Sequence, residues 1–385
     1  MNRTFCIYAL LTICAIMVGT LIQPVISHAA TDSPVLPLLF FGTVSLFETR
    51  TLIDIVSQMK RPKSFLLDTF FPGTKTFDTE NVDIDIYKGK RRMAPFVAPN
   101  LAGKVVERLG FSTSSYKPPY VKPKMVTTAA DILTRPAGIT LYPGGITLEQ
   151  RAAQQVGLDL AELDDMIIRR EEWMAAQVLN AGTVVVQGDG VDDTIDFQMD
   201  STHKITISVA GDKWSATTAD PVRDLGTWAR LCQKDSGITP NVCVMGSSAA
   251  AAFIARVGSN TAQLSSIKVT LGQINPQALP NGATFIGTVI APGVNVDVYS
   301  YDEWYVDDAG AEQPMVPVDK VWLGSSNAKN LRLYGAIKDL SALAAMPRFP
   351  KSWETPDPSA RFIMVQSAPL IALNQPDAFI SADVL

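Results

Sequence analysis

Histidine is almost missing from this chain: there are two in 385 residues, His28 and His203. That scarcity removes the commonest general base and the commonest zinc ligand. Cysteine is nearly as scarce. Of the four, Cys6 and Cys14 lie within the first thirty residues, while Cys232 and Cys243 have no metal-like spacing and no histidine beside them. The apolar run Val242-Cys243-Val244-Met245 reads as a buried strand holding a reduced thiol, which suits a reducing compartment. Positive charge is short as well. Lys and Arg number 33 against 38 Asp and Glu, a formal charge of −5, so no general basic field points to nucleic acid. There is no Walker A run and no G-x-G-x-x-G, and Gly246-Ser247-Ser248-Ala249 lacks the second glycine of a nucleophile elbow. No internal repeat of roughly 20–50 residues is present. No catalytic set, metal site or cofactor is expected.

What is there is apolar residue, 47% of the chain against 18% charged, the composition of a folded protein. The length suits two or three domains. The first 35 residues read differently. A positive start (Met1-Asn2-Arg3), an apolar stretch over 5–22 and a small-residue Ser27-His28-Ala29-Ala30 resemble a secretory signal peptide, with a membrane anchor as the weaker option.

Residues 35–76 read as an arm with one short helix over 46–59 and an apolar patch (Phe65, Leu66, Leu67, Phe70, Phe71). Val82, Ile84 and Ile86 then alternate with Asp83 and Asp85, the period of a half-buried strand. Lys88, Lys90, Arg91 and Arg92 make a basic turn, and a proline-rich extended return follows. Residues 78–125 thus read as a protruding β-arm with too few large apolar residues for a core of its own. Thr147 and Gln150 have capping-box spacing, and Val156, Leu160, Leu163, Ile167, Met174 and Val178 trace one stripe of a long helix. Gly182 is placed to end it. An antiparallel meander is expected over 183–209, then a compact α/β segment over about 220–335. The chain closes on two apolar runs, 362–365 and 370–373. They make sense if the α/β segment is inserted into a domain whose sheet they complete.

His203, between strands, reads as an ordinary surface residue. Asp189, Asp192, Asp193 and Asp196 cluster around glycines but lack EF-hand spacing, so a solvated turn is preferred over calcium. The basic run 88–92 has three readings: a phosphate contact, a solvated tip, or a plug for an acidic neighbouring subunit. The last is preferred in an otherwise acidic chain. Trp214, Trp304, Trp322 and Trp353 read as core or interface anchors. Val82, Ile84, Ile86, Lys88, Lys90, Arg91 and Arg92 are therefore the subunit-interface candidates.

Three stretches carry a resemblance. "GFSTSSYKPPYVKPK" (110–124), "VWLGSSNAKNLRLYGAI" (321–337) and "RFPKSWETPDPSARFIMVQSAPLIALNQPDAF" (348–379) are similar to segments of the lambda-type tailed-phage major capsid proteins, the phage capsid protein E family. The last stretch is the most specific. The resemblance implies an α+β, Hong Kong 97-like fold: N-terminal arm (36–77), extended E-loop (78–125), peripheral domain with a long spine helix (126–217 and 341–385) and axial domain (218–340). It implies hexamers and pentamers of an icosahedral shell around double-stranded DNA, contacted without sequence preference. It also implies a scaffolding protein, a portal and in some relatives a decoration protein, with no enzymatic activity. Such a shell is a virion component assembled in the host cytoplasm. A leader over 1–35 conflicts with that, and a true start near Val35 or Leu36 is expected instead. A secreted or cell-surface binding protein is the rival reading, supported only by the leader.

Overall fold

In the computed structural model the described residues are 52–53, 55–56, 64–86, 93–106, 112–128, 148–259, 267–268, 277–279, 281–291, 294–342, 345–357 and 359–385. The leader 1–35 and the basic run Lys88, Lys90, Arg91 and Arg92 lie outside them, as do Thr147 and most of the short helix expected over 46–59.

The apolar patch of the arm folds as a short helix, α1 (Phe65–Phe70), followed by strand β1 (Gly73–Thr76). Phe65, Leu66, Leu67, Phe70 and Phe71 are all buried, so this end of the arm plugs the core. Strands β2 (Val82–Ile86) and β3 (Ser112–Tyr116) pair antiparallel as a two-stranded ribbon, with Val82 opposite Tyr116 and Ile86 opposite Ser112. Strand β4 (Lys124–Thr128) follows.

The apolar stripe becomes one helix, α2 (Leu148–Ala181), continuous through Gly157. Its 34 residues span about 50 Å at 1.5 Å per residue. All six stripe residues are buried. Gly182 ends it with φ +67°, its N–H donating to the Val178 carbonyl at 2.8 Å. A side chain at Gly182 would also collide with Met199.

After α2, β5 (Thr183–Gly188) and β6 (Val191–Asp196) form a tight hairpin. The expected meander stops there. Phe197 and Met199 are buried, and Gln198 between them takes a positive φ of 56°, which turns the chain away from the hairpin. A 3-10 turn (Ser201–His203) then leads to β7 (Lys204–Thr206), which pairs with the last strand of the chain instead. His203 is consequently not a surface residue. It is buried, with Nδ1 2.8 Å from the Phe379 carbonyl and Nε2 3.4 Å from an Asp235 carboxylate oxygen. Its partners come from residues far along the chain, and nothing in the surrounding residues signals them.

The α/β segment comprises α3 (Pro221–Asp235), capped by Asp220 on the Arg223 N–H, β8 (Val242–Met245) and α4 (Ser247–Ser259). Strands β9 (Ile267–Lys268), β10 (Gln277–Ala278), β11 (Ala283–Ala291) and β12 (Val294–Tyr301) follow. A small hairpin, β13 (Trp304–Val306) and β14 (Glu312–Pro314), precedes β15 (Lys320–Gly324) and β16 (Leu331–Tyr334). The chain closes with β17 (Phe349–Thr355), β18 (Ala360–Gln366), β19 (Pro369–Ala372) and β20 (Ile380–Asp383).

The closing strands are shared among three sheets. β18 lies between β17 and β4, and its Ile363 and Val365 pack with Val156, Leu160, Leu163 and Ile167 of α2. β19 pairs with β16, which also pairs with β1. β20 enters the large sheet β10-β11-β12-β8-β15-β20-β7, in which β9 also pairs with β11. The expectation that all the closing strands complete one sheet beside the long helix is therefore corrected for β19 and β20, which enter two other sheets. Ile380, Ala382 and Val384 share the core of Leu225, Ala249 and Phe253 from α3 and α4. Among the described residues no helix is long and apolar enough to cross a membrane.

Candidate assembly surfaces

The β2–β3 ribbon is fixed at its base by its own chain. Val82, Ile84 and Ile86 are 0%, 2% and 1% exposed and belong to a core that includes Val184, Ile195 and Phe197. The Tyr116 hydroxyl donates to the Asp196 carbonyl at 2.6 Å, and its ring lies 6.1 Å from that of Phe197. Glu80 accepts from Lys117 at 2.5 Å and Lys338 at 2.7 Å; these two hydrogen-bonded cations hold its carboxyl near pKa 2. That cluster is solvent-exposed and so orients the ribbon more than it stabilises it. Backbone bonds from Ala336 N–H to Thr79 O (3.0 Å) and from Phe77 N–H to Tyr334 O (2.9 Å) complete the base.

Two buried charged groups lock neighbouring elements. Glu172 of α2 accepts from the backbone N–H of Leu66 (2.8 Å) and Leu67 (3.1 Å) at the start of α1 and from the Tyr301 hydroxyl (3.1 Å) at the end of β12. One carboxyl thus joins arm, long helix and large sheet. Burial pushes it up to about 7, against those three hydrogen bonds, which pull it down. Arg348 is buried between Asp164 (2.7 Å) and Glu171 (2.8 Å) of α2, and also donates to Ser367 at 3.1 Å. Removing one partner from such a buried pair costs about 3–5 kcal/mol, because a charge is left unpaired.

Beyond the base the ribbon changes character. Residues 93–106 form no regular secondary structure. Met93 is 89% exposed, Phe96 101% and Val105 92%, with Leu101 at 69%, Val106 at 53% and Val97 at 40%. Six apolar side chains with this exposure on one short segment form a surface that soluble monomers rarely keep.

The candidates named from sequence therefore separate. Val82, Ile84 and Ile86 are brought together, but inside their own chain, where they leave a neighbour almost no surface to cover. Lys88, Lys90, Arg91 and Arg92 lie outside the described residues. Sequence reasoning missed Met93, Phe96, Leu101 and Val105. Pro95 and Pro99 were the available signal, since they hold this stretch extended and without a period that could fold it back. Trp214 and Trp322 are core, whereas Trp304 and Trp353 keep ring surface exposed. The Asp189–Asp196 cluster is turn chemistry: Asp193 accepts from the Thr194 N–H and Asp196 from the Gln198 N–H. Cys232 and Cys243 are buried free thiols, and burial pushes Cys232 up to about 12.

The family described as phage major capsid protein E matches residues 48–384. The chain belongs to that family. It has the Hong Kong 97-like fold, and its function is to self-assemble into the head shell of a tailed phage or prophage. The P21 prophage-derived major head protein of Escherichia coli O6:H1 is 29% identical over 356 residues, covering 89% of this chain and 100% of that one. The major capsid protein of Escherichia phage lambda is 27% identical over 361 residues, with the same coverage. The crystal structure of a protein described as a prophage capsid protein of Escherichia coli CFT073 superimposes with a TM-score of 0.65 at 22% identity, covering 88% of this chain and 99% of that one. The capsid of Ralstonia phage GP4 gives a TM-score of 0.50 at 16% identity, covering 92% and 98%. Similarity of this extent to shell proteins disfavours a secreted or cell-surface binding protein.

Proposed function

We propose that this capsid protein closes its shell by laying the E-loop, residues 78–125, across a sister subunit within hexamers and pentamers. The base of the loop stays in its own core and the tip, 93–106, does the clasping. The exposed apolar side chains of that tip carry the reading, because their own chain leaves them in solvent and each copy of a shell offers them cover. Many weak contacts of this kind, repeated around a closed surface, add multivalently. The basic run Lys88, Lys90, Arg91 and Arg92 adds charge attraction to an acidic neighbour.

In the same reading, residues 36–77 are the N-terminal arm, 126–217 with 341–385 the peripheral domain, and 218–340 the axial domain. β20 then ties the two domains through the large sheet. Assembly runs in the host cytoplasm on a scaffolding protein and a portal, with a decoration protein added outside and DNA contacted inside without sequence preference. The mature chain begins near Val35 or Leu36.

The test is deletion of residues 88–92. The expected outcome is a folded chain with an unchanged melting profile that forms no closed particles by electron microscopy. Normal particles from that variant would defeat the clasp. Peptides from residues 4–30 in purified particles, found by mass spectrometry, would defeat the late start.

A further inference from the structure

We infer that the outer face of the β13–β14 hairpin is the seat that receives the E-loop tip of a second copy. This names the acceptor surface for the clasp proposed above, and so rests on that reading.

Two strands of three residues cannot hold themselves together in water. This pair is held from its inner side. Tyr305 accepts from the Trp173 indole N–H of α2 at 3.1 Å, and Arg170 of α2 pairs with Asp308 at 2.8 Å. Asp307 closes the turn by accepting from the Ala309 and Ala311 N–H groups at 3.0 and 2.8 Å. Because side chains alternate along a strand, fixing Tyr305 inward turns Trp304 and Val306 outward. They are 48% and 64% exposed, opposite Pro314 and Glu312 respectively. The result is a rigid aromatic and aliphatic face with an acidic rim.

Charge selects the occupant. Residues 302–314 carry five acids (Asp302, Glu303, Asp307, Asp308, Glu312) and no base. Residues 87–110 carry six cations (Lys88, Lys90, Arg91, Arg92, Lys104, Arg108) and one acid, Glu107. The two segments have opposite net charge in a chain that is otherwise acidic, with Asp308 already paired to Arg170 of its own chain. Both present exposed large apolar side chains, so desolvation and Coulomb attraction favour the same pairing. The loop and the hairpin are different patches of one chain. Their contact is head-to-tail, the type that generates rings when the rotation closes.

A charge swap in the full-length chain tests the seat. Asp302→Lys with Glu312→Lys should lower the fraction of protein in sedimenting shells about ten-fold, as should Arg91→Glu with Arg92→Glu, because like charges then face each other. The melting profile of both should stay unchanged. All four substitutions together should restore shells to within about two-fold of the original chain. Normal shells from the hairpin pair, or no recovery in the combined variant, would overturn the seat. A second measurement does not depend on closure. Phe96→Cys mixed with Trp304→Cys should form an intermolecular disulfide about ten-fold faster than Phe96→Cys mixed with Val209→Cys, an exposed position elsewhere. Equal rates would overturn the seat even if shells form. A selective crosslink without shells would leave the seat standing and count against the closed-shell reading instead.

Discussion

The base and the outer part of the segment 78–125 invite comparison, since both carry large apolar residues. At the base, Val82, Ile84 and Ile86 sit in a core shared with the β5–β6 hairpin. At the tip, Met93, Phe96, Leu101 and Val105 stand in solvent. The base alternates with aspartates, which gives it a wet face and a dry one and lets a sheet-like ribbon lay the dry face on its own chain. The tip has prolines in place of alternation, and a segment without a period has no single face to fold inward. The difference shows one chain burying some apolar side chains in its own core while leaving others of the same kind in solvent.

The sharpest way to break that distinction is Ile84→Ala. If the base belongs to the subunit core, this change destabilises the isolated chain by about 3 kcal/mol, read from chemical denaturation. A loss below about 0.5 kcal/mol would place Ile84 among surface residues instead.

Glu172 gives a second probe of what is held inside. Its folded-state pKa, about 7, lies above its ordinary value of 4.5. Between those pH values the folded chain keeps a proton that the unfolded chain has lost. Stability therefore falls as pH rises from 4.5 to 7, and this group adds no further pH dependence below or above that window. Glu172→Gln should flatten the slope, checked by melting temperature at pH 5 and pH 8. An unchanged slope would mean that the carboxyl joining α1, α2 and β12 is not the group that titrates.

The smallest effect is expected at the tip. Phe96→Ser should change the stability of the isolated chain by no more than about 0.5 kcal/mol while lowering shell yield in sedimentation. A large loss of subunit stability would show that the tip also folds onto its own chain.

Much of the fold is legible in the residues themselves. The stripe from Val156 to Val178 delivers α2, the Val82-Ile84-Ile86 alternation delivers β2, and Asp220 followed by Pro221 marks the start of α3. Each depends on neighbours within a few residues, which is the range over which backbone periodicity and capping act. The features that sequence reasoning misses have the opposite character. His203 has the local setting of a surface turn, yet its partners, Phe379 and Asp235, lie 176 and 32 residues away. The third strand of the expected meander leaves to pair with β20, from the far end of the chain. Lys88, Lys90, Arg91 and Arg92 remain interface candidates by charge alone.

By itself, then, the sequence determined most of the element types and the family. Those features follow from local periodicity, turn chemistry and specific motifs such as the closing "QSAPLIALNQPDAF". Only the tertiary structure decided which apolar faces the chain keeps for itself. Alternating residues announce that a face will be dry, but whether β5–β6 or a sister copy covers it depends on contacts between segments about a hundred residues apart, which no local pattern encodes.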